Sequence, residues 1–308
     1  MRFRLASAAY AIALGIGCIC GCARPSSPAT SSTTAATVTK AASSATFALP
    51  VEPNGLWWDA PSATLYFASD DEHALYRWKD GRFTIAAALP AAAGRPGLGQ
   101  LVRTPDGSTF ITHFGHGADG GILIVGSDGV AKLADGLDGT RRRIGIAGDD
   151  SGALFDGYFV YDGDKHVAHG GVARLSIDGR GHAAESEIIG GLVKPVGVLV
   201  VGDAIYVSDQ EANTIVRATL SAPADARPFA QLTAPDLLCA GDAGAIFAAG
   251  KAGDVFRVGS DGHVTSIVAG LRPLRGIAFD AAGKRLFFVE RRGKEPNMPP
   301  TLHVLQLQ

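Results

Sequence analysis

Ile205-Tyr206-Val207-Ser208, a polar loop Asp209-Gln210-Glu211-Ala212-Asn213, then Ile215-Val216-Arg217 and Pro228-Phe229-Ala230-Gln231-Leu232 form one phrase of a repeating sequence. The first run reads as an apolar inner strand, the second as a strand ending in Arg, and the third as a strand closing on a corner. Five more segments match the first run: Leu65-Tyr66-Phe67-Ala68-Ser69, Phe110-Ile111-Thr112-His113-Phe114, Tyr158-Phe159-Val160-Tyr161, Ile246-Phe247-Ala248-Ala249 and Leu286-Phe287-Phe288-Val289. Short strands recurring with a period of roughly 40–50 residues are the signature of a β-propeller.

Each unit is led by a small residue followed by an aliphatic one. These leaders are Asn54-Gly55-Leu56, Gly99-Gln100-Leu101, Ile144-Gly145-Ile146, Val196-Gly197-Val198, Asp236-Leu237-Leu238 and Arg275-Gly276-Ile277. Six leaders mean six blades, and the glycine predicts close packing around the axis, where a Cβ would crowd. The corner that ends a blade recurs in Leu89-Pro90, Gly136-Leu137, Gly191-Leu192, Gln231-Leu232 and Gly270-Leu271, but not in the sixth unit. The same ending stands at the other end of the chain, in Thr46-Phe47-Ala48-Leu49-Pro50. The reading is therefore all-β, a six-bladed β-propeller whose N-terminal strand closes the last blade and removes its open edge. Asp-Gly pairs at 106–107, 128–129, 178–179 and 261–262 supply the hairpin turns.

The propeller is assigned to residues 46–308. Residues 1–22 are set apart, with Arg2 and Arg4 before an apolar run from Leu5 to Ile19 that is too short for a membrane span. Ile19-Cys20-Gly21-Cys22 resembles the lipobox of bacterial lipoproteins, which implies lipidation at Cys22, with Cys18 as a second candidate. Residues 23–45 are nearly all Ser, Thr, Ala and Pro, a composition that cannot bury enough apolar area to order itself and reads as a tether. Ala23 after the lipidated position resembles an outer-membrane sorting signal. The expectation is an exported domain in the cell envelope, anchored by its N-terminal lipid at the periplasmic face of the outer membrane.

Of four cysteines, three lie in that leader, so Cys239 has no partner for a disulfide and reads as a buried thiol. Hydrophobic residues make up 46% of the chain and charged ones 19%, with a net charge of -2. That balance gives ample core and argues against nucleic acid as a partner. A monomer is expected.

In a propeller, the loops leading into each blade and those leaving its second strand crowd one mouth of the channel. Here they supply Glu52, Asn54, Gln100, His113, Arg143, Asp209, Asp236, Arg275 and Arg291. Arg143, Arg275 and Arg291 come from different blades, and Arg pairs bidentately with carboxylate or phosphate. With Asn54, Gln100, His113 and Asp209 they predict a site for a small polar or anionic molecule. His113/His116 and His166/His169 read as loop histidines, with His113 retained because it ends a strand. No Gly-x-Ser-x-Gly supports serine catalysis.

Pro53-Asn54-Gly55-Leu56, Val207-Ser208-Asp209 with Ile215-Val216-Arg217, and Gly276-Ile277-Ala278-Phe279-Asp280 resemble blades of the SMP-30/gluconolactonase/LRE-like family and of NHL-repeat propellers. The resemblance implies a divalent cation, usually calcium, on the axis, and hydrolysis of sugar lactones. Carried over, the metal ligands would be Glu52 and Asp236, while the family's Asn position falls on Val196, which has no ligand atom. Three functions follow as expectations. The first is a binding module for a small polar or anionic molecule with an incomplete metal site. The second is a cation-dependent lactone hydrolase, and the third a protein-interaction platform.

Overall fold

The computed structural model describes residues 43–69, 71–90, 97–116, 118–163, 166–294 and 297–308. The expected leader, the expected lipidation site at Cys22, the expected tether up to residue 42 and Asp70 lie outside the described residues. Strand β1 (Ser43–Ala48) stands first in the chain. Blade one follows as β2 (Pro53–Asp59), β3 (Thr64–Ser69), β4 (Ala74–Lys79) and β5 (Arg82–Ala88). Blade two is β6 (Leu98–Arg103), β7 (Thr109–His113), β8 (Gly121–Val125) and β9 (Ala131–Leu133). Blade three is β10 (Arg142–Gly148), β11 (Leu154–Asp162), β12 (His166–Ile177) and β13 (Ala183–Leu192). Blade four is β14 (Pro195–Val201), β15 (Ala204–Asp209), β16 (Thr214–Thr219) and β17 (Ala222–Gln231). Blade five is β18 (Pro235–Ala240), β19 (Ile246–Gly250), β20 (Val255–Val258) and β21 (Val264–Val268). Blade six is β22 (Leu274–Asp280), β23 (Arg285–Glu290) and β24 (Thr301–Gln306), completed by β1.

All six sheets are four-stranded and antiparallel, and β2, β6, β10, β14, β18 and β22 each touch the next around a closed ring. The segments read from sequence as inner strands are therefore the second strands, one place out from the axis. The reason is burial. A second strand has a strand on either side and a neighbouring blade on either face, so Leu65, Ile111, Phe159, Ile205, Phe247 and Leu286 are fully buried and carry the strongest apolar signal. The true inner strands must fit the axis, and they do so with glycine and a bulge. Every one of the six is bulged against its second strand near its leader.

Gly55 shows why a side chain is excluded there. A Cβ on it would lie 2.6 Å from the Gln100 Cα, and its φ is +65°. Blade five departs from the rule, with Leu237 in the glycine's place. Leu237 packs with Ile144, Phe159 and Val196 in an apolar cluster that fills this part of the axis.

The closing strand pairs Ser43 with Gln306 through Ala48 with Thr301, so pairing begins three residues before the start expected from sequence. Phe47 packs on Trp78 of blade one, which ties the closure to the next blade. Removing residues 1–48 is expected to leave β24 as an open edge. The shortened protein should melt several degrees lower and form concentration-dependent oligomers in light scattering. An unchanged melting curve and a monomer would contradict this role for β1.

His166 and His169 are in the extended strand β12, opposite Asp162 and Val160, and not in a loop as the sequence suggested. No helix among the described residues is long and apolar enough to cross a membrane.

Candidate functional site at the channel mouth

The mouth is held in shape by acids at the ends of second strands. Asp209 Oδ2 accepts the Val193 N–H at 2.9 Å and its Oδ1 the Lys194 N–H at 2.7 Å, fixing the loop before β14. Glu290 Oε1 accepts the Arg272 N–H at 2.8 Å before β22, and Asp71 Oδ1 accepts the Glu52 N–H at 3.0 Å before β2. Acids that cap such loops satisfy backbone donors that would otherwise go unpaired. Asp209, expected to contact ligand, is spent on this task.

Glu290 has a titration that can be followed. Burial raises its pKa, but hydrogen bonds from the Arg272 side chain and backbone and from His303 outweigh this and bring it down to about 2. A depressed carboxylate stabilises the fold above its unfolded pKa, and the contribution is lost as pH falls through the folded one. Glu290→Gln should therefore flatten the loss of stability between about pH 4.5 and pH 2 in acid-unfolding curves. The variant should also be less stable than the wild type at pH 7.

The remaining expected residues divide into two groups. Asn54, Arg275 and Arg291 line a cavity of about 280 Å³ at the mouth, together with Gly97, Gly99, Phe114, His116 and Ile144. Asp236, fully buried, stands behind Arg275: its Oδ2 accepts from Arg275 Nη1 at 3.4 Å and from Gln210 Nε2 at 3.1 Å. Asp236 Oδ1 and Asn54 Oδ1 are buried without a protein partner. Such orphaned acceptors are uncommon in folded proteins and call for an explanation.

The other group is turned to structural work. Arg143 was expected to reach an anionic ligand, but it is wholly buried inside blade three. Its Nε donates to Asp156 Oδ2 at 2.9 Å, its Nη2 to Glu185 Oε1 at 2.8 Å, and its Nη1 to the carbonyls of Asp138 and Arg141. Gln100 Oε1 accepts the Ile146 N–H at 3.2 Å, bridging two inner strands. His113 is fully buried, with Nδ1 2.8 Å from the Asp119 carbonyl; a carbonyl only accepts, so Nδ1 carries the proton and Nε2 is left as an unpartnered acceptor.

His116, not His113, lines the cavity. Its position three residues on, in the same Gly-rich loop, was the available signal. Phe114 and Ile144 were missed for a different reason, since apolar residues beside an axis read as core.

Positive charge gathers at this end. The Lys251 ammonium is held below its ordinary pKa by burial and by the charges of Lys194 and Arg275, against the opposing pull of Asp236 and Glu211. Arg142 lies over the Phe114 and Tyr161 rings at 5.6 and 5.9 Å from their centroids, and donates to the Gly115 carbonyl.

The donor set does not fit calcium, which takes six to eight oxygens. Glu52 Oε1 accepts from Arg291 Nε at 2.8 Å, and both its oxygens receive the Arg292 N–H. Asp236 is paired with Arg275. Val196 is buried in the apolar cluster with Leu237. Among the described residues no three His, Cys, Asp or Glu side chains come together as metal ligands. Cys239 is also quiet, because burial pushes its thiol pKa well up and leaves little thiolate.

Known structures share this architecture. A gluconolactonase from Xanthomonas campestris superposes with a TM-score of 0.64 at 20% identity, covering 84% of this chain and 86% of that one. The calcium-binding protein regucalcin from Agrobacterium tumefaciens gives 0.65 at 20% identity, over 85% and 93%. A luciferin-regenerating enzyme gives 0.63 at 11% identity, over 86% and 96%. The chain thus shares the six-bladed propeller fold of these structures, and at these identities the likeness is one of fold. No protein-family model matches the sequence, and no curated protein matches it. Three structures with three different descriptions on one scaffold leave function to the site.

Proposed function

We propose that this propeller binds a small anionic molecule, a carboxylate foremost, at the mouth cavity, with Arg275 as the principal contact and no divalent cation. The observation that carries the reading is Arg275. Arg275 lines the cavity while the buried Asp236 holds its guanidinium by one nitrogen. An arginine so oriented has further N–H groups for a planar anion. Asn54 lines the same cavity to receive a donor from the ligand or to turn its amide toward it. The tether and Cys22 would hold this domain at the envelope surface. Isothermal titration with acetate, gluconate and phosphate tests the reading, and saturable binding of a carboxylate lost in Arg275→Gln supports it.

A hydrolytic reading has one observation of its own, the unpartnered Oδ1 of Asp236, an acceptor suited to a general base. Turnover of a lactone that disappears in Asp236→Asn, with product binding retained, would select it.

Calcium supplies a second check. Thermal unfolding in millimolar calcium and in EDTA is expected to coincide. A calcium site at 100-fold saturation would add ~2.7 kcal/mol, a rise of several degrees. Such a rise, abolished by Glu52→Ala or Asp236→Ala, would restore the metal-dependent mechanism.

A further inference from the structure

We infer that the molecule taken up at the mouth is a carboxylic acid with an apolar body, aromatic or branched aliphatic, and not a polyhydroxylated acid. The inference rests on the carboxylate reading above and adds the class of ligand.

The cavity lining is mixed, and different blades supply its parts. Asn54 belongs to blade one, Arg275 and Arg291 to blade six, and these blades are neighbours. These three supply polar side chains to the lining. Blades two and three supply the rest of the lining, with Gly97, Gly99, Phe114, His116 and Ile144. Behind Ile144 lie Phe159, Val196 and Leu237, with Phe114, Tyr161 and Val167 packed against them. The aromatic part of this lining is fixed in place. The Phe114 ring sits 5.4 Å from His116 and 6.0 Å from Phe159, and Phe159 meets Tyr161 edge-on at 5.4 Å.

A sugar acid would have to turn several hydroxyls toward the residues from blades two and three. Of these side chains only the His116 imidazole can bond a hydroxyl there; Phe114 and Ile144 offer none, and a buried hydroxyl without a partner is costly. A ligand with one charged end and one apolar end meets both parts of the lining, with its carboxylate on Arg275 and its ring or branched chain against Phe114 and Ile144. Aromatic rings prefer offset or edge-on contacts of the kind Phe114 can provide. The cavity volume of about 280 Å³ suits a molecule at the small end of the usual ligand range.

The test is titration calorimetry with phenylacetate, cyclohexanecarboxylate and gluconate on the protein and on its Phe114→Ala variant. Phenylacetate should bind at least about tenfold more tightly than gluconate. Phe114→Ala should weaken phenylacetate about tenfold, the loss of ~1.4 kcal/mol of contact, and leave gluconate unchanged. Ile144→Thr, which keeps the β-branch and its methyl but replaces the ethyl group with a hydroxyl, should weaken phenylacetate without weakening gluconate if Phe114→Ala does not fold. Gluconate binding as tightly as phenylacetate, and losing affinity in Arg275→Gln, would overturn the inference and leave the carboxylate reading standing. No saturable binding by any of the three acids would overturn the carboxylate reading and this inference with it.

Discussion

Arg275→Gln is expected to weaken carboxylate binding about 10- to 100-fold, the largest effect of any single change at the mouth. Hydrogen bonds to charged groups contribute about 1.5–3 kcal/mol, and Arg275 supplies both the charge and the donors. Gln has the reach to replace one hydrogen bond to Asp236 but none of the charge. The variant therefore has a second consequence. Asp236 is fully buried, and Arg275 is its cationic partner at 3.4 Å. Without it the buried carboxylate has neutral donors such as Gln210 but loses its cationic partner, so the variant should also be less stable. Pairing Arg275→Gln with Asp236→Asn should recover stability but not ligand affinity. Recovery of affinity in the double variant would show that the guanidinium is not the contact. Arg291 is a weaker test, since its guanidinium is already engaged by Glu52.

Arg143→Met should cost roughly 3–5 kcal/mol, the usual result of removing one partner from a buried ion pair. In a domain of this size each kcal/mol moves the melting point by about 2–4 °C, so a fall of roughly 6–20 °C is expected. The loss comes from what stays behind. Asp156 is fully buried and Glu185 nearly so, and both have their charge met by Arg143. Burial already pushes the Asp156 carboxyl up to about 6, with Arg143 pulling it down and Glu185 pushing it up. A carboxylate raised in this way favours the fold most below its ordinary pKa, near 3.8. That contribution is lost as pH rises through about 6. Removing Arg143 raises it further, so the variant should be less damaged at pH 5 than at pH 7.5. Arg143→Met combined with Asp156→Leu should regain most of the loss, because well-packed apolar residues replace buried pairs at little cost. Equal melting curves for wild type and Arg143→Met would contradict the account.

The contrast between these two arginines explains how much of the site was legible. Both stand near the start of an inner strand, and both read from sequence as mouth residues. Arg275 is set beside a cavity, while Arg143 is turned into its own blade by Asp156 on β11 and Glu185 on β13. Those partners lie 13 and 42 residues away in the chain, a distance that no local pattern encodes. Asp209 was legible in both senses, since an acid just past a strand is a common turn cap as well as a common ligand. Phe114 and Ile144 carried no signal, because an apolar side chain has the same sequence signature whether it fills a core or lines a pocket.

The sequence by itself determined the blade number, the ring closure by the N-terminal strand, and the glycines at the axis. These are consequences of local chemistry: strand periodicity, turn residues, and the exclusion of a Cβ from a crowded backbone. The tertiary structure alone decided which strands are innermost, that Arg275 lines a cavity while Arg143 is buried, and that Val196 and Leu237 join one apolar cluster. It did so because a side chain's partner is chosen across blades, by whichever charge or apolar surface the closed ring brings opposite it.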